Sequence, residues 1–227
     1  MDDILIATSD DLPQHRHLVH QVLTKLEEHD LYLKPEKCIF EVPEVEYLGL
    51  IIGYGRIRMD PVKVAGVDGW KPPKNLTELQ GFTGFINFYR PFIKGFSQEA
   101  RLLNDLTKKD TPWEWTPERQ QAFEKLKMLV CCEPVLLMPN LQNPFELEVD
   151  ASSFAIGATL SQQDEQKRWH PVAFYSETLS EAERNYNVYD RELLAIVKSL
   201  KHWRVYLAGA PHQIVIHTDH ANLVTSR

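Results

Sequence analysis

Three acidic residues stand in three different settings from which they could converge. Asp150 closes the alternating run Phe145 to Asp150, Glu192 sits near the start of the helical segment Arg191 to Val197, and Asp219 closes the strand-like run Ile214 to Asp219. Any one alone reads as an ordinary surface acid, but their positions argue for more. Asp150 follows Leu147 and Val149 and precedes the small residues Ala151 to Ser153. Glu192 lies one turn before Ile196, at the edge of an apolar helix face. Converging carboxylates are what two divalent ions need for phosphodiester hydrolysis. Magnesium takes hard oxygen ligands, so magnesium is the expected cofactor, with manganese able to replace it. His217 and His220 flank Asp219 and suit phosphate or outer contacts better than magnesium itself. A second acidic pair, Asp2 and Asp3, precedes the apolar Ile4, Leu5 and Ile6.

Positioning those acids requires strands and helices in a definite order. Residues 1–8 read as a strand that begins in mid-hairpin. Leu18, Val22 and Leu26, with Val19 and Leu23 beside them, make a helical stripe. Short strands are predicted over 37–40, 45–52 and 56–59, with Gly53, Tyr54 and Gly55 as a turn. Helices are predicted over 61–70, 77–88, 97–106 and 117–130. Thr116 is the N-cap of the last, and Pro117 is its first residue. Residues 133–144 hold three prolines and two asparagines and read as a linker. The rest reads strand 145–150, strand 154–162, strand 171–176, a long helix 181–206 and strand 213–218, a layered α/β sheet.

Composition bounds the partners. The chain has 227 residues, 43% of them hydrophobic, and a net charge of -7. It is not a strongly basic nucleic-acid binder, although clustered carboxylates lower the net charge of a metal nuclease and phosphate contacts can be local. Cys38, Cys131 and Cys132 form no zinc-ligand spacing. With no secretory signal they fit a reducing compartment, so a soluble, intracellular and cytoplasmic protein is expected. No apolar run approaches membrane-spanning length.

Several ordered motifs then carry a resemblance. Phe145 to Ser152, Gly157 to Gln162, His170 to Ser176, Asn185 and Tyr186 with Glu192 to Ala195, Trp203 to Leu207, and Thr218 to His220 together resemble the RNase H domain of gypsy-type (metavirus) LTR-retrotransposon Pol polyproteins. Residues 1–130 are similar to the end of the same polyprotein's reverse transcriptase. The resemblance implies an α+β fold with palm-end β-hairpins and a helical thumb, followed by an incomplete RNase H-like domain. It implies a palm end over 1–60, a thumb-like region over 61–133, a linker over 134–144 and the RNase H-like domain over 145–227.

The same resemblance implies roles. Asp150, Glu192 and Asp219 match three of the family's four metal-binding RNase H carboxylates, and the fourth is expected beyond this sequence. Asp2 and Asp3 match the polymerase box, in which the first acid holds catalytic metal. Tyr47, Leu48 and Gly49 lie in a segment similar to the primer grip. Gln80, Gly84 and Phe88 recur at four-residue spacing and so share a helix face. With Asn87 they match a thumb helix that lies along the duplex minor groove, and Arg90 follows to reach phosphate. Gly84 costs about 0.5–1 kcal/mol in a helix interior relative to Ala, which a close backbone approach would explain. The implied partners are an RNA–DNA hybrid and the template–primer duplex. The implied chemistry is hydrolysis of the RNA strand, with RNA-directed DNA synthesis in the parent polyprotein. This chain alone is expected not to polymerise and to cleave weakly. The alternative is an inactive remnant that binds template–primer duplex. An unrelated nuclease on the same fold leaves residues 1–130 unexplained.

Overall fold

The computed structural model describes residues 3–8, 11–132 and 135–219. The chain divides into two compact units, Met1–Tyr54 and Gly55–Arg227.

In the first unit the stripe at Leu18, Val19, Val22 and Leu26 forms helix α1 (Leu12–Glu28), with Asp11 accepting from the Gln14 amide. No residue of this helix is buried. Residues 3–8 form no strand, and Pro35–Lys37 is a 3-10 turn rather than the start of one at 37. Proline at its first position pre-sets φ for that turn. The stretch 45–52, expected as one strand, is an antiparallel hairpin of β1 (Glu44–Tyr47) and β2 (Leu50–Gly53). The reason lies at Leu48 and Gly49, whose φ angles of 50° and 80° place both in the left-handed region that closes two-residue hairpins. Gly53 has no room for a side chain, because a Cβ there would sit 2.6 Å from the Pro43 carbonyl oxygen.

The second unit begins with β3 (Arg56–Met59) and helix α2 (Pro61–Asp68), whose N-cap Asp60 accepts from the Val62 amide. Helix α3 (Leu76–Phe88) is capped by Asn75 and followed by a 3-10 turn over Arg90–Phe92. Helix α4 (Phe96–Leu106) starts after Gly95, and α5 (Pro117–Cys131) starts at the expected Thr116 cap. One core fills this helical region. Phe82 and Phe123 meet at 4.4 Å between ring centroids, and Trp70 stands edge-on to Phe82. Within the expected linker, β4 (Leu136–Leu137) pairs with β3. Buried Gln162 clamps the following loop through Asn140 and Asn143.

The sheet that positions the acids has the order β7-β6-β5-β8, from β5 (Glu146–Ala151), β6 (Ala155–Gln163), β7 (Trp169–Thr178) and β8 (Val215–His217). Strands β5, β6 and β7 are antiparallel neighbours, while β8 runs parallel to β5. Alternation on β5 sends Leu147 and Val149 into a core with Ile156, Leu160, Ala195 and Trp203. Three helices lie between β7 and β8: α6 (Glu181–Arg184), α7 (Val188–His202) and α8 (Arg204–Leu207). The single helix expected over 181–206 is therefore broken. Asn187 prefers to cap α7, accepting from the Asp190 amide, and Trp203 leaves helical geometry at ψ 20°. No described helix is long and apolar enough to cross a membrane.

An ionic clasp ties α6 and α7 to β7. Lys198 Nζ lies 2.6 Å from Glu177 and 2.7 Å from Glu183. Lys198, with the Ser180 amide, holds the Glu183 carboxyl down at about 2, against 4.5 when unpaired. A carboxyl depressed in the folded state binds fewer protons there than in the unfolded chain. Its stabilisation is present above 4.5 and lost as the pH falls towards 2. Glu183→Gln should therefore lower the Tm at pH 7 and flatten its fall across that acid window. Melting curves at pH 7 and pH 3 would show an unchanged difference if the clasp contributed nothing.

Candidate functional site

Register explains how two of the acids meet. On the parallel pair β5 and β8, Leu147 stands opposite Ile216 and Glu148 opposite His217. Two residues further on come Asp150, still within β5, and Asp219, just past the end of β8. Neighbouring strands run about 4.8 Å apart, so both carboxylates reach the same end of the sheet. The third acid comes from the fifth residue of α7, a helix packed against β5. Asp150, Glu192 and Asp219 each offer an oxygen, and these oxygens all lie within 4.8 Å of one another. Asp150 and Asp219 are exposed, whereas Glu192 is buried.

The electrostatics follow from that geometry. Burial pushes the Glu192 carboxyl up, and the charges of Asp219 and Asp150 push it further. Thr218 Oγ donates to Glu192 at 3.4 Å, and the Ala151 amide opposes the rise in the same way. The motif Thr218 to His220 carries no separate role for Thr218 in the sequence, although its place beside Asp219 is the signal for one. Three hard oxygen donors around one point, one of them buried among like charges, fit a hard divalent cation and favour one energetically. His217 does not join them, since its Nε2 lies 3.1 Å from Glu146. His220 and Asp2 lie outside the described residues. Asp3 is exposed, and its carbonyl accepts from Tyr47 Oη at 3.2 Å.

Strand β1 ends at Tyr47, and the turn of its hairpin presents Leu48, which is 59% exposed. A leucine at φ 50° costs about 1–2 kcal/mol in the left-handed region, and the apolar side chain gains little at a turn open to water. The two-residue hairpin imposes that conformation, and it leaves the side chain at the tip in water.

Helix α3 divides cleanly. Leu79, Phe82 and Ile86 are buried, while Gln80, Gly84, Asn87 and Phe88 are exposed. A Cβ on Gly84 would meet nothing within 4 Å. Tight packing inside the chain therefore does not account for this glycine. Gly84→Ala should raise stability by about 0.5–1 kcal/mol, measured as a shift in urea midpoint, and a loss of stability would reveal a hidden contact.

Arg90 is a correction. Expected to face phosphate, it is turned inward, donating to Ser97 Oγ and to the Ser176 carbonyl at 2.7 Å, with its guanidinium over the Phe96 ring. Burial lowers its pKa. Lys94 stays exposed and pairs with Glu148 at 2.9 Å.

Residues 115–216 match the RNase H-like domain found in reverse transcriptase. Over 224 residues, 99% of its length, the chain is 41% identical to the Transposon Tf2-3 and Tf2-7 polyproteins of Schizosaccharomyces pombe. It spans 17% of their length. Among solved structures, a foamy viral protease-reverse transcriptase in complex with an RNA/DNA hybrid superposes with a TM-score of 0.76 at 19% identity. That match covers 96% of this chain and 30% of the viral one. The same viral protein in complex with double-stranded DNA gives 0.73 at 20% identity, over 93% and 44%.

Proposed function

The chain belongs to the retrotransposon polyproteins that carry the RNase H-like domain of reverse transcriptase, and we propose on that footing that Asp150, Glu192 and Asp219 hydrolyse the RNA strand of RNA–DNA hybrids. The observation that carries the reading is the convergence of three carboxylates from two parallel strand ends and one helix. When bound there, magnesium or manganese would neutralise the scissile phosphate and acidify a water.

The chain's own residues prepare that chemistry. Asp150 and Asp219 present carboxylates to solvent at adjoining strand ends. Glu192 sits beneath them, oriented by Thr218 and the Ala151 amide. A proton on the Glu192 carboxyl competes with a cation for the same oxygens, so cation affinity weakens as the pH falls. Sequence preference is not required, because a hybrid's geometry is read through backbone and 2′-hydroxyl contacts.

Two exposed features suit the duplex that the site would act on. The α3 face of Gln80, Gly84, Asn87 and Phe88 offers an open backbone at Gly84 beside a half-exposed aromatic ring. The Tyr47, Leu48 and Gly49 turn offers an apolar tip that the chain itself leaves uncovered. We assign both to template–primer contact, and Asp2 and Asp3 to the polymerase centre of the parent protein.

The direct test is cleavage of a labelled RNA–DNA hybrid, with single-stranded RNA as control and EDTA as the metal-free arm. Magnesium-dependent cutting of RNA in the hybrid only is expected, in the 227-residue chain or in a longer protein that contains it. Cutting that persists in EDTA, or that extends equally to single strands, would overturn the assignment.

A further inference from the structure

Three residues of the second unit, Phe154, Arg101 and Arg184, form a cluster that the acid site does not use, and Arg191 bonds to the same turn. Phe154 follows the turn after Asp150 and is 43% exposed. Two guanidinium groups lie on its ring, Arg101 of α4 at 4.6 Å and Arg184 of α6 at 5.9 Å from the centroid. Arg191, the residue before Glu192, donates to the Ser152 carbonyl at 3.3 Å and keeps a buried Nε without a partner.

The turn that carries Phe154 is rigid. Ser152 Oγ accepts from the Phe154 and Ala155 amides and donates to the Ala155 carbonyl, while the Phe154 carbonyl accepts from Leu179. These bonds fix the backbone from which the ring projects, and Arg101 and Arg184 cover part of the ring.

Charge makes the cluster unusual. The chain carries 32 acidic and 25 basic residues, and Arg16 and Arg168 each find a carboxylate. Among the described residues Arg101, Arg184 and Arg191 have no ion pair. A cation over an exposed ring gains little, and two like charges on one ring lose part of that to repulsion. Arg184 Nε already donates to the Leu179 carbonyl at 3.1 Å, which leaves the terminal N–H groups of Arg184, with those of Arg101, for other partners. Those groups match phosphate oxygens in a bidentate fork.

We propose that Arg101 and Arg184, organised by Phe154, form a phosphate clamp for the nucleic-acid strand that enters the acid site, with Arg191 bracing the turn through the Ser152 carbonyl. The ligand class is a sugar–phosphate backbone. The clamp sits on the segment that leaves Asp150 and is braced by the residue that precedes Glu192. Gripping a strand there fixes its phosphates relative to two of the three acids. The inference rests on the proposed hybrid substrate, but it makes a separate claim about where affinity arises.

The test measures binding of a labelled RNA–DNA hybrid in EDTA over a series of salt concentrations, so that cleavage plays no part. Each lost phosphate contact should reduce the slope of log K against log salt by about one. R101Q/R184Q should reduce it by about two and weaken binding about tenfold or more at low salt. Cation-induced thermal stabilisation, which reports the acid site, should stay as in the parent. Phe154→Leu, which keeps all three charges but loses the platform, should weaken binding less than the double variant. If R101Q/R184Q lowers the Tm while the slope stays at the parental value, the stack is only structural and the clamp is wrong. If the double variant does not fold, R184Q alone is read the same way, with an expected slope change of about one. Failure of the acid site would show instead as hybrid cleavage unaffected by Asp150→Asn, whatever the slopes.

Discussion

Asp150→Asn should reduce metal-dependent cleavage of the hybrid by about a hundredfold or more, the scale of losing one preorganised electrostatic partner of a reacting group. The side chain keeps its size and one oxygen but loses the charge that draws a divalent cation. Asp219→Asn, from the neighbouring parallel strand end, should lose activity by a similar factor. The two oxygens serve one point, so the effects should not multiply. A double variant should fall little below either single one, as is usual for groups that act as a unit. Hybrid binding in EDTA should persist, and it should tighten slightly as negative charge leaves the site, because affinity comes from cationic contacts elsewhere. Cleavage rates and EDTA binding curves at one fixed salt separate these terms. A variant that cuts like the parent would remove Asp150 from the chemistry. One that neither cuts nor binds would move the defect from the metal site to the fold.

Much of this site was legible because alternation and register are simple. Phe145 to Asp150 alternates, so Leu147 and Val149 fix the buried face and Asp150 falls at the strand end. Ile214 and Ile216 do the same for Asp219. Helix caps were equally plain, as Thr116 before Pro117 shows. The failures came where a conformation is paid for from outside the local sequence. Leu48 occupies the left-handed region despite its side chain, so Val45 to Ile52 looked like one strand and is two. The break between α6 and α7 depends on Asn187 choosing to cap rather than continue a helix, a choice that apolar periodicity cannot register. Arg90 closes the exposed face that ends at Phe88, yet it turns inward because Ser97 and the Ser176 carbonyl lie within its reach. Ser176 is 86 residues away in sequence, and Ser97 comes within reach only after the turn at Arg90–Phe92. The pair of arginines on Phe154 was invisible for the same reason, since Arg101 and Arg184 meet only once α4 and α6 are both packed.

Glu192→Gln should have opposite effects with and without divalent cation. In EDTA at pH 7 the variant should melt higher than the parent. Glu192 is buried to 3% exposure, and burial together with Asp219 and Asp150 raises its pKa above 4.5. A carboxyl raised in the folded state binds more protons there than in the unfolded chain. Stability therefore falls as the pH rises from 4.5 through the folded value, and the deficit is fully present above it. Glutamine has the same shape without the charge, and its side-chain oxygen can still accept from Thr218 and the Ala151 amide. The gain in Tm should therefore be largest at neutral pH and vanish below about pH 4.5, where the parent's Glu192 is protonated in both states. Magnesium or manganese reverses the ranking. A cation at a hundred times its dissociation constant stabilises the parent by about 2.7 kcal/mol, while the variant should gain far less and lose hybrid cleavage. Thermal melts in EDTA and in excess magnesium, each at pH 4 and pH 7, give the full comparison. A variant less stable than the parent in EDTA at pH 7 would mean that Glu192 is satisfied by the fold itself and is not kept for a cation.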